Sequence, residues 1–171
     1  MPLQDSGERR AFTSGAVRDI AEGKGRCDLL PVKVIAEYMP NPILEQIGNF
    51  IEEGNPQYLW NALELFQYEG FKMGVVNTTQ RIANTMLEVA KHYEAGCEKY
   101  GERNWEKGIP LHCYIDSGIR HYLKFLREDA DEPHDRAFVW NMLGAIWTIK
   151  NKPEFIDIPA AKEVTECHIE K

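Results

Sequence analysis

Eleven consecutive residues, Ala137 to Trp147, carry a single polar side chain, Asn141. The run is too short to cross a bilayer and longer than an ordinary strand. A helix that is apolar on every side has to be enclosed by other elements. Pro133 suits the first turn of that helix, and Lys152-Pro153 stops it. The rest of the chain must therefore supply a jacket of amphipathic helices.

That jacket is visible in the spacing of apolar residues. Ile43, Leu44, Ile47, Phe50 and Ile51 follow the start signal Asn41-Pro42. Tyr58, Leu59, Ala62, Leu63 and Phe66 follow the break at Gly54-Asn55-Pro56. Asn77-Thr78-Thr79-Gln80 reads as a capping box opening a long helix with the stripe Ile82, Met86, Val89, Ala90, Tyr93, Cys97 and Tyr100, ended by Gly101. Gly108 and Pro110 introduce another, with Leu111, Tyr114, Ile115, Ile119, Tyr122, Leu123 and Leu126 on one side. No repeat, low-complexity tract or strand-like alternation competes. The expectation is an all-α multi-helix bundle: a loop-rich arm over 1–32, a helical domain over 33–150, and a weakly helical tail over 151–171. The tail would pack on the surface or on a neighbouring subunit.

A chain of 171 residues holds one sizeable core. Its net charge of −7 argues against general nucleic-acid binding, which needs a cationic surface, yet leaves room for one small anion held by local Arg and Lys. Met1 to Arg10 has no apolar signal core, and no apolar run approaches a membrane span. A cytoplasmic protein without membrane partners is expected. Cys27, Cys97, Cys113 and Cys167 show no CxxC spacing, so reduced thiols are the plain reading; zinc at His112-Cys113 with Cys167-His168 is a minor alternative.

From His92 to Asn141 the helices carry more ionisable groups than packing alone requires, since burying unpaired charge is costly. Glu94 and Glu98 are like charges at i,i+4, a mildly destabilising pair that a cation would relieve; otherwise Lys91 and Lys99 neutralise an exposed edge. Asp116 and Arg120, also i,i+4, form either a simple salt bridge or part of a metal and phosphate site. His121 is either a hydrogen-bonded boundary residue or a catalytic group. Asp131 suits a helix N-terminus on electrostatic grounds alone, or ligates a metal. His134 and Asn141 share one helix face, and a buried asparagine needs partners, from a neighbouring helix or from a base edge. Magnesium takes carboxylate oxygens and keeps waters, so acids from separate helices would hold ions bridging a polyphosphate.

Two loops add cations. Lys99, Tyr100, Arg103, Asn104 and Trp105 make an aromatic, basic loop suited to a nucleotide. In the arm, Arg18-Asp19 precedes Gly23-Lys24-Gly25-Arg26, where glycines and cations can wrap phosphate, although the spacing is not that of a P-loop.

Ser14-Gly-Ala-Val-Arg-Asp19, Glu22-Gly-Lys-Gly-Arg26 and Asp28-Leu-Leu-Pro31 resemble the N-terminal motif of a phage-associated family of dATP/dGTP diphosphohydrolases. Tyr93-Glu94, the run Lys99 to Gly108, Asp116-Ser117, Arg120-His121, the Asp131/His134 turn and Trp140-Asn141 resemble it too. The resemblance spans roughly 11–32 and 85–148, with 40–80 looking like an insertion. It implies an all-α pyrophosphohydrolase fold of the MazG-like type, Mg2+ or Mn2+ as cofactor, a purine deoxynucleoside triphosphate as substrate, and nucleoside monophosphate plus pyrophosphate as products, in a bacterial or phage-infected cell. A homo-oligomer is expected as well. On this reading Glu94, Glu98, Asp116 and Asp131 hold metal. Arg18, Lys24, Arg26, Arg103 and Arg120 face the phosphates, with Lys99 beside them. His121, together with Arg120, serves the chemistry, while Tyr100, Asn104 and Trp105 contact the nucleoside and His134 and Asn141 count among the substrate-binding residues. The MazG-like signature of an EExxE helix followed by an ExxD helix is not reproduced by Glu94-x-x-x-Glu98 or by Glu128-x-x-Asp131. Two rival readings are an HD-type phosphohydrolase using His134-Asp135 and a non-catalytic nucleotide-binding phage protein.

Overall fold

The computed structural model describes residues 9–20, 23–69 and 78–169. Glu22 and Asn77 lie outside the described residues, as do the side chains of Ile82, Cys167 and His168, so the capping box and the second half of the zinc pair fall there.

The apolar run lies within α6 (His134–Asn151), and α5 (Leu111–Leu126) packs along it. Glycine permits the close approach of the two. A Cβ on Gly118 would sit 2.3 Å from Met142 Cε, and one on Gly144 would sit 2.4 Å from the Tyr114 ring. α4 (Thr78–Tyr100) packs on α6 as well.

A second layer comes from α1 (Val32–Tyr38), α2 (Pro42–Glu53) and α3 (Gln57–Glu69). Asn41 caps α2 by accepting from the Ile43 and Leu44 amides at 3.1 and 3.0 Å, and its side-chain N–H donates to the Tyr122 hydroxyl of α5 at 2.9 Å. Phe66 of α3 meets the rings of Tyr122, Phe125 and Phe138. Residues 42–66, inside the segment that resembled an insertion, thus supply part of the common core, including the fully buried Ile43, Ile47, Phe50 and Leu59. Truncating Phe50 to alanine should cost roughly 3–5 kcal/mol. The tail forms α7 (Pro159–Ile169) and packs on α2 of its own chain. There Gly54 is left-handed at φ 73°, and any Cβ would lie 2.2 Å from the Ala160 carbonyl oxygen.

The helical class holds, with one departure in the arm. Arg9–Ala11 (β1) and Val17–Asp19 (β2) pair antiparallel around the turn at Gly15, whose φ is 79°. A lone hairpin is marginal in water. This one is held from outside, because Asn104 acts as a third strand: Val17 N–H donates to its Oδ1 and its Nδ2 donates to the Val17 carbonyl, both at 2.8 Å. A side chain supplying a strand's partners leaves no alternation in the sequence to read.

Candidate functional site

The arm is bonded to the C-terminal end of α4 and along α5 and α6, and a cavity of about 650 Å³ lies between them. Among the described residues, seven Lys and Arg but four Asp and Glu line it, in a chain whose net charge is −7.

Most of those charges are engaged with the arm. Arg18 lies over the rings of Tyr114 and Trp140, at 5.3 and 5.6 Å from their centroids. Its guanidinium donates to the Cys113 carbonyl at 3.0 Å and to Asn141 Oδ1 at 3.1 Å. Asn141 in turn donates to the Ala137 carbonyl, so both ends of its amide are bonded within the protein. Asp19 accepts from Lys99 Nζ and Tyr100 Oη, both at 2.8 Å. Burial alone would raise the Asp19 pKa, but those two donors outweigh it and hold the carboxyl below its ordinary value. Asp116 accepts the Cys27 amide at 2.7 Å and pairs with Arg120, which donates to the carbonyls of Lys24 and Gly25 at 3.1 and 3.2 Å. The i,i+4 pair therefore fastens the glycine loop of the arm. Lys24 keeps its amine at the cavity wall, 3.8 Å from Asp19. Burial, then the nearby Arg120 and Lys99 cations, lower its pKa against the pull of Asp19. Arg26 lies outside the cavity and pairs with Asp28.

The basic loop divides in the same way. Asn104 is taken by Val17. Trp105 meets Tyr93 and Trp147 edge-on, at centroid distances of 5.6 and 4.8 Å, which anchors the loop on the core while part of the ring still lines the cavity. Arg103 is left-handed at φ 53°, exposed, and paired with Glu106.

The acids assigned to metal from the sequence do not come together. α4 is rotated from the face inferred for it. Val89 and His92 are buried, whereas Ala90 is exposed, and Glu94 and Glu98 continue the Ala90 row into solvent and off the cavity. Counting Ala90 as core made Glu94 look like an edge residue. Asp116 faces the cavity from an ion pair, and Asp131 stands at the opposite rim, bonded to Lys124 Nζ at 2.8 Å. Lys124 first, and then His134, hold the Asp131 carboxyl well below its usual pKa.

What does converge at that rim is a different set. His121 Nδ1 and His134 Nδ1 are 3.0 Å apart, and Glu132 Oε1 lies 3.5 and 3.7 Å from them. Burial, and then the neighbouring His134, push His121 well below its ordinary pKa. Glu132 had no role in the sequence reading. It closes the acidic run Glu128-Asp129-Ala130-Asp131-Glu132, which in the sequence marks only the end of the preceding helix. His92 was missed as well. It is buried on the cavity wall next to Trp140, its Nδ1 has no hydrogen-bond partner among the described residues, and burial lowers its pKa to about 4. Gly96, one turn along and also on the wall, was the available signal of an open face there. Of the HD dyad, His134 is buried and Asp135 is exposed. His112 and Cys113, half of the zinc alternative, are bonded to Asp157 and to Arg10 respectively. No described helix is long and apolar enough to cross a membrane.

A family model described as dATP/dGTP diphosphohydrolase, N-terminal, matches residues 67–158, more than half of the chain and every helix that lines the cavity. No curated protein and no solved structure matches it. With α4, α5 and α6 inside the matched span, the chain belongs to the dATP/dGTP diphosphohydrolase family.

Proposed function

We propose that the protein hydrolyses a purine deoxynucleoside triphosphate between its α- and β-phosphates, releasing the nucleoside monophosphate and pyrophosphate. The observation that carries this reading, beside the family match, is the excess of cations lining a cavity in an otherwise acidic chain. A volume near 650 Å³ falls in the usual range for small-molecule sites, roughly 300–1,000 Å³. Lys24, crowded by Arg120 and Lys99, is the residue best placed to gain from an incoming polyphosphate, whose charge would relieve that crowding. Lys124 and Arg103, which also line the cavity, would add positive charge for the phosphates. The nucleoside would enter beside Tyr93, Trp105 and Trp140, which offer ring faces or edges. The tethered arm excludes water from the phosphates and strengthens each of these contacts.

Metal dependence, on magnesium or manganese, belongs to the same proposal. A divalent ion would neutralise phosphate charge and acidify the attacking water. Glu94 and Glu98 do not fit that role in this chain, being exposed and off the cavity. His121, Glu132 and His134 supply the donors that meet.

The test is a panel of dATP, dGTP, dCTP and dTTP with Mg2+ or Mn2+, with products identified. dAMP or dGMP with pyrophosphate is expected. Inorganic phosphate or triphosphate would favour the HD-type route. Nucleotide-dependent stabilisation without turnover would leave a binding protein.

A further inference from the structure

We propose that His121, Glu132 and His134 form a metal site for a divalent first-row transition ion, and that this site prefers such an ion to magnesium. The three donor atoms are separated by 3.0, 3.5 and 3.7 Å. An ion about 2.1 Å from each donor gives edges of roughly 3.0 Å at right angles and 3.4 Å at the tetrahedral angle, so one ion can reach all three with small adjustments.

The surroundings orient the donors as a metal site requires. His134 is buried, and its Nε2 donates to Asp131 Oδ1 at 2.8 Å, which leaves the lone pair on Nδ1 facing His121 and Glu132. A carboxylate behind a ligating imidazole fixes its tautomer and raises its basicity. Lys124 secures that carboxylate from the other side. Asp131, an acid that the sequence suggested as a ligand, thereby becomes the positioning residue behind one. His121 and Glu132 both line the cavity, so positions left over on the ion would face the space assigned to phosphate.

The donor set decides the class of ion. Magnesium seeks oxygen ligands in a near-octahedral shell, whereas two imidazoles and one carboxylate suit manganese, iron(II), cobalt or zinc. A second convergence, Asp129 with Asp131 and His134, is more exposed and uses atoms already committed, since Asp129 pairs with Arg127 and Asp131 with Lys124. The alternative for His121 and His134 is a plain imidazole–imidazole hydrogen bond with Glu132 beside it.

The ion's part in hydrolysis rests on the proposed function; ion binding does not, and it is measured without nucleotide. Chelator-treated full-length protein is titrated with Mn2+, followed by electron paramagnetic resonance, with Mg2+ as competitor. Manganese avoids the thiol at Cys113. One Mn2+ per chain with nitrogen coupling is expected, displaced by Mg2+ only at tenfold or greater excess. His121→Ala and Glu132→Gln should each weaken binding at least tenfold, and His121→Ala should reduce the nitrogen coupling. Circular dichroism confirms that the variants fold. Should His121→Ala fail to fold, His121→Gln carries the same expectation. No bound manganese, a signal without nitrogen coupling, equal affinity in folded variants, or tighter magnesium binding would each overturn the proposal. Metal binding without pyrophosphate release would retain the site and defeat the hydrolase reading.

Discussion

Two walls of one cavity use similar residues in opposite ways. On the arm side, Arg18, Asp19, Asn104, Asp116 and Arg120 each meet a partner from the chain itself, and those partners span 80 or more residues of sequence for every bond to the arm. At the junction of α5 and α6, two imidazole nitrogens and a carboxylate oxygen point at one another. Charged residues dense in sequence therefore signal a site only where they lack complementary partners. On the arm wall, density signals a seam.

The largest effect that would sharpen this contrast is Arg18→Ala. It removes hydrogen bonds to the Cys113 carbonyl and Asn141, and it removes the cation over Tyr114 and Trp140. A loss of roughly 2–4 kcal/mol in urea unfolding is expected, because hydrogen bonds from charged groups and desolvated cation–π contacts are the stronger ones. His121→Ala in chelator-treated protein should cost clearly less. Equal losses would mean that the two walls do not differ in structural role.

A smaller effect comes from Asp19. Its folded pKa lies below the ordinary carboxylate value, so the unfolded chain binds more protons as acid is added. The stabilisation is then fully present above about pH 3.8 and is lost as the pH falls through the folded pKa. Asp19→Asn should cost on the order of 1 kcal/mol near neutrality, after allowance for its partial exposure. The difference from wild type should shrink to nothing in acid. Limited proteolysis of the arm across that range reads it directly. A difference that persists unchanged at low pH would show that charge at Asp19 does not hold the arm.

Much of the helical frame was legible because periodicity and punctuation agree. The apolar run of α6, the Asn41 cap and the Gly101 stop all match what forms there. The hairpin was not legible, since Asn104 supplies its outer partner from a distant loop. On α4 the sequence allowed two adjacent faces. Alanine reads as apolar wherever it lies, and histidine reads as polar even when buried, so Ala90 was counted in and His92 out. That shift of one face carried Glu94 and Glu98 with it. The cavity itself was foreshadowed by its residues, but their roles were not, because a salt bridge such as Asp116–Arg120 looks the same in sequence whether it ties a loop or binds phosphate. Only the contacts to Cys27, Lys24 and Gly25 distinguish the two.

The smallest expected effect tests that shift. Glu94 and Glu98 sit in the exposed row of α4, away from the three donors at the α5–α6 junction. Replacing both by glutamine removes a like-charge i,i+4 pair, so a change within about 0.5 kcal/mol is expected, if anything towards higher stability. A metal bound by His121, Glu132 and His134 should stabilise the double variant as much as the wild type, because ligand-linked stabilisation depends only on affinity and concentration. Thermal melts with and without Mn2+ measure this. If the manganese-dependent increase vanished in Glu94→Gln/Glu98→Gln while Glu132→Gln retained it, the ion would belong to the outer row of α4. The junction histidines would then be a hydrogen-bonded pair, and the contrast between the two walls would have to be drawn without a metal.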